Sequence, residues 1–140
     1  MSRVSIQIRV PFSDVDNSGR IHFTAMFRYV DIAEHELVRA IGYPYATTLQ
    51  DIAFPRVRVA CDYLGAICYD DRLTIEARVQ RVGRSSWTVA FSAYVIERAG
   101  KEVSGEEIAA RGEMTIVTMN PQTERARSLP DDFRAALLAD

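Results

Sequence analysis

Residues 24–41 carry the one long helical pattern of the chain, and the longer apolar segments around it alternate as strands do. A sheet built from those strands therefore has to be covered by a single helix. Met26, Val30, Ala33, Leu37 and Ile41 recur at spacings of three or four, while Arg28, Asp31, Glu34, His35 and Arg39 fall mostly on other sides. Thr24 stands where its hydroxyl can cap the helix. Gly42 can end it in the left-handed conformation, and Pro44 prevents it from resuming.

Val4, Ile6, Ile8 and Val10 form the first alternating segment. After the Tyr45-to-Ala53 connection come Val57 to Tyr63, Leu73 to Val79, Trp87 to Val95 and Ile108 to Ile116, each apolar at every second position. Tyr69-Asp70-Asp71, Val82-Gly83-Arg84-Ser85, Ala99-Gly100-Lys101 and Ser104-Gly105 separate them with turn chemistry, which predicts an antiparallel meander. Pro130 and Asp131 can start a short last helix with Phe133, Leu137 and Leu138 on its apolar side. The expected class is α+β: a five-stranded antiparallel sheet wrapped around one long central helix, with a short C-terminal helix, as one domain over residues 1–140. One helix covers little of such a sheet and leaves an edge strand open, so pairing into a homodimer at least is expected.

Charge and cysteine usage narrow the functional classes. With 17 basic and 19 acidic residues the net charge is −2, which gives no field favouring nucleic acid or an anionic membrane surface. Met1 to Gln7 alternates polar and apolar residues instead of forming a signal-peptide core. No apolar run approaches the roughly 20 residues needed to span a bilayer, so a cytoplasmic protein is expected. Cys61 and Cys68 match neither a zinc nor a dithiol spacing and read as packed, reduced thiols.

Asp14-Val15-Asp16-Asn17-Ser18-Gly19 is a turn by composition; on spacing alone Asp16 reads as a turn residue bonding the Ser18 or Gly19 amides, and Asp14 as a residue bonding within the loop. Three segments together say more. They are Phe12 to Ile21 running on into Phe27 to Ala33, then Phe54-Pro55 through Cys61-Asp62-Tyr63-Leu64 to Glu76, and Val82-Gly83-Arg84-Ser85-Ser86. In these segments the chain resembles the 4-hydroxybenzoyl-CoA thioesterase family of hotdog-fold proteins.

The resemblance implies hydrolysis of an acyl-CoA or acyl-carrier-protein thioester, with Asp16 as the catalytic carboxylate and the Phe23 backbone amide as oxyanion donor. The chemistry fits those residue types. Attack on a thioester needs a carboxylate as nucleophile or general base, and a helix start supplies amides where negative charge develops. Relatives in one branch carry a histidine seven positions after the aspartate; here Phe23 stands there and His22 comes one earlier. Ten positions after the aspartate, where the family favours an aromatic ring, this chain has Met26, which implies a different acyl pocket. Arg84, Ser85 and Ser86 are candidates for the CoA phosphates, against the plainer reading of a polar hairpin turn. Arg56 and Arg58 read as the wet face of a strand. The resemblance also implies a pocket between subunits, with a homotetramer as the expected assembly, and no metal or redox cofactor, coenzyme A entering only as part of the substrate.

Other hydrolase plans lack their parts: no Gly-x-Ser-x-Gly elbow occurs, no phosphate-binding loop is present, and the two histidines are far apart in sequence. Two rivals remain. One is a hotdog dehydratase acting on 3-hydroxyacyl thioesters with His22 as base. The other is a non-catalytic acyl-CoA-binding hotdog protein in which Asp16 only shapes its turn.

Overall fold

The computed structural model describes all of residues 1–140. Strand β1 (Arg3–Arg9) leads through a 3-10 turn at Phe12–Asp14 to helix α1 (Ala25–Ala40). Strands β2 (Arg56–Tyr63), β3 (Arg72–Val82), β4 (Ser86–Arg98), β5 (Lys101–Glu102), β6 (Ile108–Val117), β7 (Met119–Asn120) and β8 (Arg125–Ala126) follow, then helix α2 (Asp131–Leu138). The main sheet runs β1-β3-β4-β6-β2, with β5 as a short hairpin return on β4, while β7 and β8 form a separate small hairpin. Every pairing is antiparallel.

The expected meander holds for β3, β4 and β6. It fails for β2, which pairs with β6 at the far edge of the sheet and not with its successor β3. The connection Leu64–Asp71 must therefore cross three strand spacings, roughly 14 Å at about 4.8 Å each. That crossing carries the chain over one end of the sheet, where it becomes a wall of the candidate site.

Helix α1 packs on β1 and β3. Its buried residues, among them Met26, Val30, Ala33 and Leu37, meet Leu73, Ile75, Ala77 and Val79 of β3 and Val89, Phe91 and Ala93 of β4 in one core. Burying a side chain such as Leu37 contributes about 1.5–3 kcal/mol, and truncating it to Ala should cost about 2–5 kcal/mol. Helix α2 closes one end with Phe133, whose ring stands edge-on to Trp87 at 5.7 Å. Leu138 was expected beside Phe133 and Leu137, but it turns outward and is exposed. Gly112 sits where a Cβ would lie 1.9 Å from the Ala60 carbonyl oxygen and 2.7 Å from the Phe91 ring, so no larger residue fits without displacing β2.

Strand β2 departs from its simple alternation. A bulge between Arg56 and Arg58 sets Arg56 opposite Ile116 and Arg58 opposite Thr115, so the two arginines face opposite sides of the sheet. Arg56 turns inward to the fully buried Glu34 of α1, its Nη2 2.6 Å from Oε1. The expectation of two wet arginines therefore holds for Arg58 only. Glu34, placed among the polar residues by the helical pattern, proves to be a core residue. Val59 lies opposite the buried Met114 and Tyr63 opposite the buried Ala110, so both point to the core side of the sheet. Yet each is 43% exposed, because α1 packs chiefly on β1 and β3, at the other side of the sheet.

Candidate active site

The acidic loop is a small hairpin closed by the bridge between Val15 and Ile21. The Asp16 amide donates to the Arg20 carbonyl at 2.9 Å and the Gly19 amide to the Asp16 carbonyl at 3.0 Å. Gly19 has φ +80°, a conformation open to glycine and costly for other residues, which is why the turn closes here. Asp14 was expected to bond within the loop; instead its carboxylate accepts from the Arg28 guanidinium and from the Tyr29 hydroxyl at 2.7 Å, both on α1. Asp14 thus fastens the loop to the helix and leaves Asp16 facing solvent.

The Asp16 carboxylate accepts the Ser18 amide at 2.8 Å and the Ser18 hydroxyl at 2.5 Å, both on Oδ1. Oδ2 is left free of protein donors. Those bonds, the hydroxyl first, hold the Asp16 pKa below the ordinary carboxylate value, with His22 and Arg20 adding smaller pulls in the same direction.

Asp16 lines a cleft of about 520 Å³. One wall is the loop and helix start, from Asp16 to Phe23; the other runs from Tyr63 to Ile67. That second wall is pinned from behind. The Leu64 and Gly65 amides donate to the Ala109 carbonyl at 2.8 and 3.0 Å, and the Ile21 amide donates to the Ile67 carbonyl at 2.9 Å. Arg98 donates to the Ala66 carbonyl at 2.8 Å and grips the buried Asp71 carboxylate at 2.7 and 3.1 Å. Burial raises the cost of leaving Asp71 unpaired, so this ion pair fixes where the wall stands. Beyond the Asp70-Asp71 turn, nothing local in the residues announces this pair.

At the start of α1 the Thr24 hydroxyl makes no capping bond, contrary to expectation. It lies 2.7 Å from Nδ1 of His22, and the Thr24 amide donates to the same nitrogen at 3.3 Å. The His22 amide donates to the Asp14 carbonyl at 2.8 Å and the Ala25 amide to the His22 carbonyl at 2.9 Å. Phe23 differs from these neighbours: its N–H has no intramolecular acceptor. It is therefore available to a ligand, one residue before the Thr24 cap of α1, near the end of the helix whose dipole favours negative charge.

The remaining candidates are placed as follows. His22 lines the cleft, its ring 4.7 Å from that of Phe23. Met26 is fully buried in the core and is not among the residues that line this cleft. Arg84, Ser85 and Ser86 occupy the β3–β4 turn, at the end of β3 remote from the Asp16 loop and roughly 30 Å along the strand at about 3.3 Å per residue. Their main-chain groups are engaged there: Gly83 donates to the Ser86 carbonyl at 2.7 Å and Leu129 to that of Arg84 at 2.9 Å, while the Arg84 side chain donates to the Ser128 hydroxyl at 3.1 Å. The His35 side chain stays 43% exposed, its ring edge-on to Tyr45 at 5.1 Å and its Nδ1 2.7 Å from the Asp31 carbonyl oxygen. Ligand atoms of Asp31, Glu34 and His35 lie within 4.8 Å of one another, but the Arg56 guanidinium already supplies the positive charge beside Glu34. Cys61 and Cys68 are both unpaired. No helix is long and apolar enough to cross a membrane.

Comparison with known proteins agrees with this architecture. A provisionally described esterase of Aquifex aeolicus (strain VF5) is 28% identical over 85 residues, covering 59% of this chain and 66% of that one. A 1,4-dihydroxy-2-naphthoyl-CoA hydrolase of Trichodesmium erythraeum (strain IMS101) is 26% identical over 132 residues, covering 93% and 91% of the two chains. Among solved structures, 4-hydroxybenzoyl CoA thioesterase from Pseudomonas sp. strain CBS-3 superposes with a TM-score of 0.83 at 23% identity, over 97% of this chain and 99% of that one. The 1,4-dihydroxy-2-naphthoyl-CoA thioesterase of Synechocystis gives 0.79 at 16% identity, over 96% and 95%. The family description "Thioesterase superfamily" matches residues 18–99, more than half of the chain, and with the hotdog arrangement of sheet and helix this chain belongs to the thioesterase superfamily.

Proposed function

We propose that the chain hydrolyses an acyl thioester of coenzyme A, or of an acyl carrier protein, to free acid and thiol, with Asp16 as the catalytic carboxylate. The observation that carries this reading is the presence in one cleft of an ionised carboxylate with a free oxygen and a helix-start amide with no acceptor of its own. In the direct route Asp16 Oδ2 attacks the thioester carbonyl and the Phe23 N–H receives the oxyanion. The C–S bond then breaks, the thiolate takes a proton from water, and a second water cleaves the acyl-aspartyl anhydride. In the alternative route Asp16 removes a proton from the attacking water. A lowered pKa keeps Asp16 ionised at neutral pH, as both routes require. Both routes need, besides water, only the Asp16 carboxylate and the Phe23 N–H. The relatives named as CoA hydrolases support coenzyme A over a carrier protein.

The reading includes pairing of chains. The core-facing side of β2, with Val59 and Tyr63 uncovered, borders the cleft, and a second chain along this edge would cover the apolar strip and close the cleft. If Arg84, Ser85 and Ser86 bind CoA phosphates, their distance from Asp16 assigns them to a cleft other than their own chain's.

The test is thiol release over a panel of short, long and aromatic acyl-CoAs. Turnover of at least one is expected; tight binding with no turnover of any would favour a binding protein. Hydration of an enoyl-CoA that disappears in His22→Ala would favour a dehydratase.

A further inference from the structure

We propose that Tyr63 is a positioning residue for the oxyanion donor, its hydroxyl clamping the Phe23 carbonyl from across the cleft. The role rests on the reading of Asp16 and Phe23 given above and adds to it the element that keeps the donor in place. Tyr63 is the last residue of β2, and its hydroxyl donates to the Phe23 carbonyl oxygen forty positions earlier in the chain.

The hydrogen bonds around Phe23 explain why this clamp matters. The peptide that follows Phe23 is held at both ends, its carbonyl by Tyr63 and its N–H by Nδ1 of His22. The peptide that precedes Phe23 is held at its carbonyl, which accepts from Ala25 at 2.9 Å, and only its N–H is free. Neighbouring peptides fixed on both sides leave the Phe23 φ and ψ little room, so the free N–H keeps one direction. Removing the Tyr63 hydroxyl releases one of the two ends of the following peptide. Its ring would remain, so the cleft wall would keep its shape.

Tyr63 is also suited to permanent donation. Burial, with Cys61 as a lesser cause, pushes its phenol pKa well above the usual tyrosine value, so the proton stays on the hydroxyl throughout the working pH range. At the other end of β2, Arg56 reaches Glu34. Arg56 therefore ties β2 to α1 at one end of the strand, and Tyr63 ties it to the turn that leads into α1 at the catalytic end.

The test compares wild type, Tyr63→Phe and Asp16→Asn on the best thioester, measuring kcat, KM, the Kd of a non-hydrolysable thioether analogue and the melting temperature. Tyr63→Phe removes one oxygen from a half-exposed side chain, so it is expected to fold. Its kcat should fall about tenfold, with the analogue Kd within about twofold of wild type, because misaligning a donor costs transition-state and not ground-state binding. An unchanged kcat beside an inactive Asp16→Asn would overturn the Tyr63 role alone. So would a loss of kcat accompanied by equal losses in analogue affinity and melting temperature, which marks a merely structural residue. Full activity in Asp16→Asn would overturn the site reading and the Tyr63 role with it.

Discussion

Ser18 donates both its hydroxyl and its amide to a single oxygen of Asp16, Oδ1, at 2.5 and 2.8 Å. One bonding partner two residues away therefore orients the carboxylate, lowers its proton affinity and leaves Oδ2 without a protein donor. The turn residue and the catalytic residue are not competing descriptions of Asp16: the turn supplies the orientation that the chemistry would use.

The first prediction follows from the sign of that shift. The Ser18 bonds hold Asp16 below the ordinary carboxylate value of 3.8, so its ionised form persists to lower pH than that of a free carboxylate. The acid limb of kcat/KM in wild type should lie below 3.8, and in Ser18→Ala it should move upward, because the largest cause of the depression is gone. A pH profile of both proteins checks this; identical limbs would mean that Asp16 is not the group titrating.

Glu34 carries a second prediction, on stability. It is fully buried and bonded to Tyr45 at 2.7 Å and Arg56 at 2.6 Å, so Glu34→Ala strands a cation and should cost about 3–5 kcal/mol in urea unfolding. Burial raises the Glu34 pKa above 4.5, against the smaller opposing pull of Arg56. A folded-state pKa above the unfolded one contributes stability in full below the unfolded value, and that contribution is lost as pH rises through the folded value. Stability of wild type relative to Glu34→Gln should thus decline from acid toward neutral pH; the opposite slope would contradict the assignment.

The cleft wall gives a third. Arg98→Ala removes the partner of buried Asp71 and the tie to the Ala66 carbonyl, and should cost about 1.5–3 kcal/mol, the worth of a hydrogen bond to a charged group. Because Ala66 lines the cleft, KM should rise as well. Unfolding curves and steady-state kinetics on the same preparation would separate the two effects.

A fourth concerns assembly. Val59→Glu puts a charge on the exposed, core-facing strip of β2, where a partner chain would have to bury it. Light scattering should report an assembly for wild type and a single chain for the variant. A monomeric wild type would remove the pairing from the account.

Much of this was legible in the residues. The 3.6-residue period over 24–41 and the alternation of Leu73, Ile75, Ala77 and Val79 place helix and strand to within a few residues, because both patterns report one buried face. The position of β2 was not legible: a strand's alternation says which face is buried but not which neighbour it pairs with. The inward turn of Arg56 needs a bulge, whose cause lies in the register with β6. At the site, the Asp16 turn could be read from its Asp, Ser and Gly. The Tyr63 clamp, forty positions from Phe23, and the Arg98–Asp71 pair depend on tertiary proximity and left no local signal.

The most direct test of the central claim is the single-turnover rate of Asp16→Asn on the best thioester at saturating enzyme, which separates chemistry from binding. Asparagine keeps the size and can still accept the Ser18 bonds, but it is neither a nucleophile nor a base. The expected result is a fall of about 10²–10⁴-fold with substrate still bound. A rate within a few-fold of wild type would show that the carboxylate does no chemistry and that the cleft works by some other group.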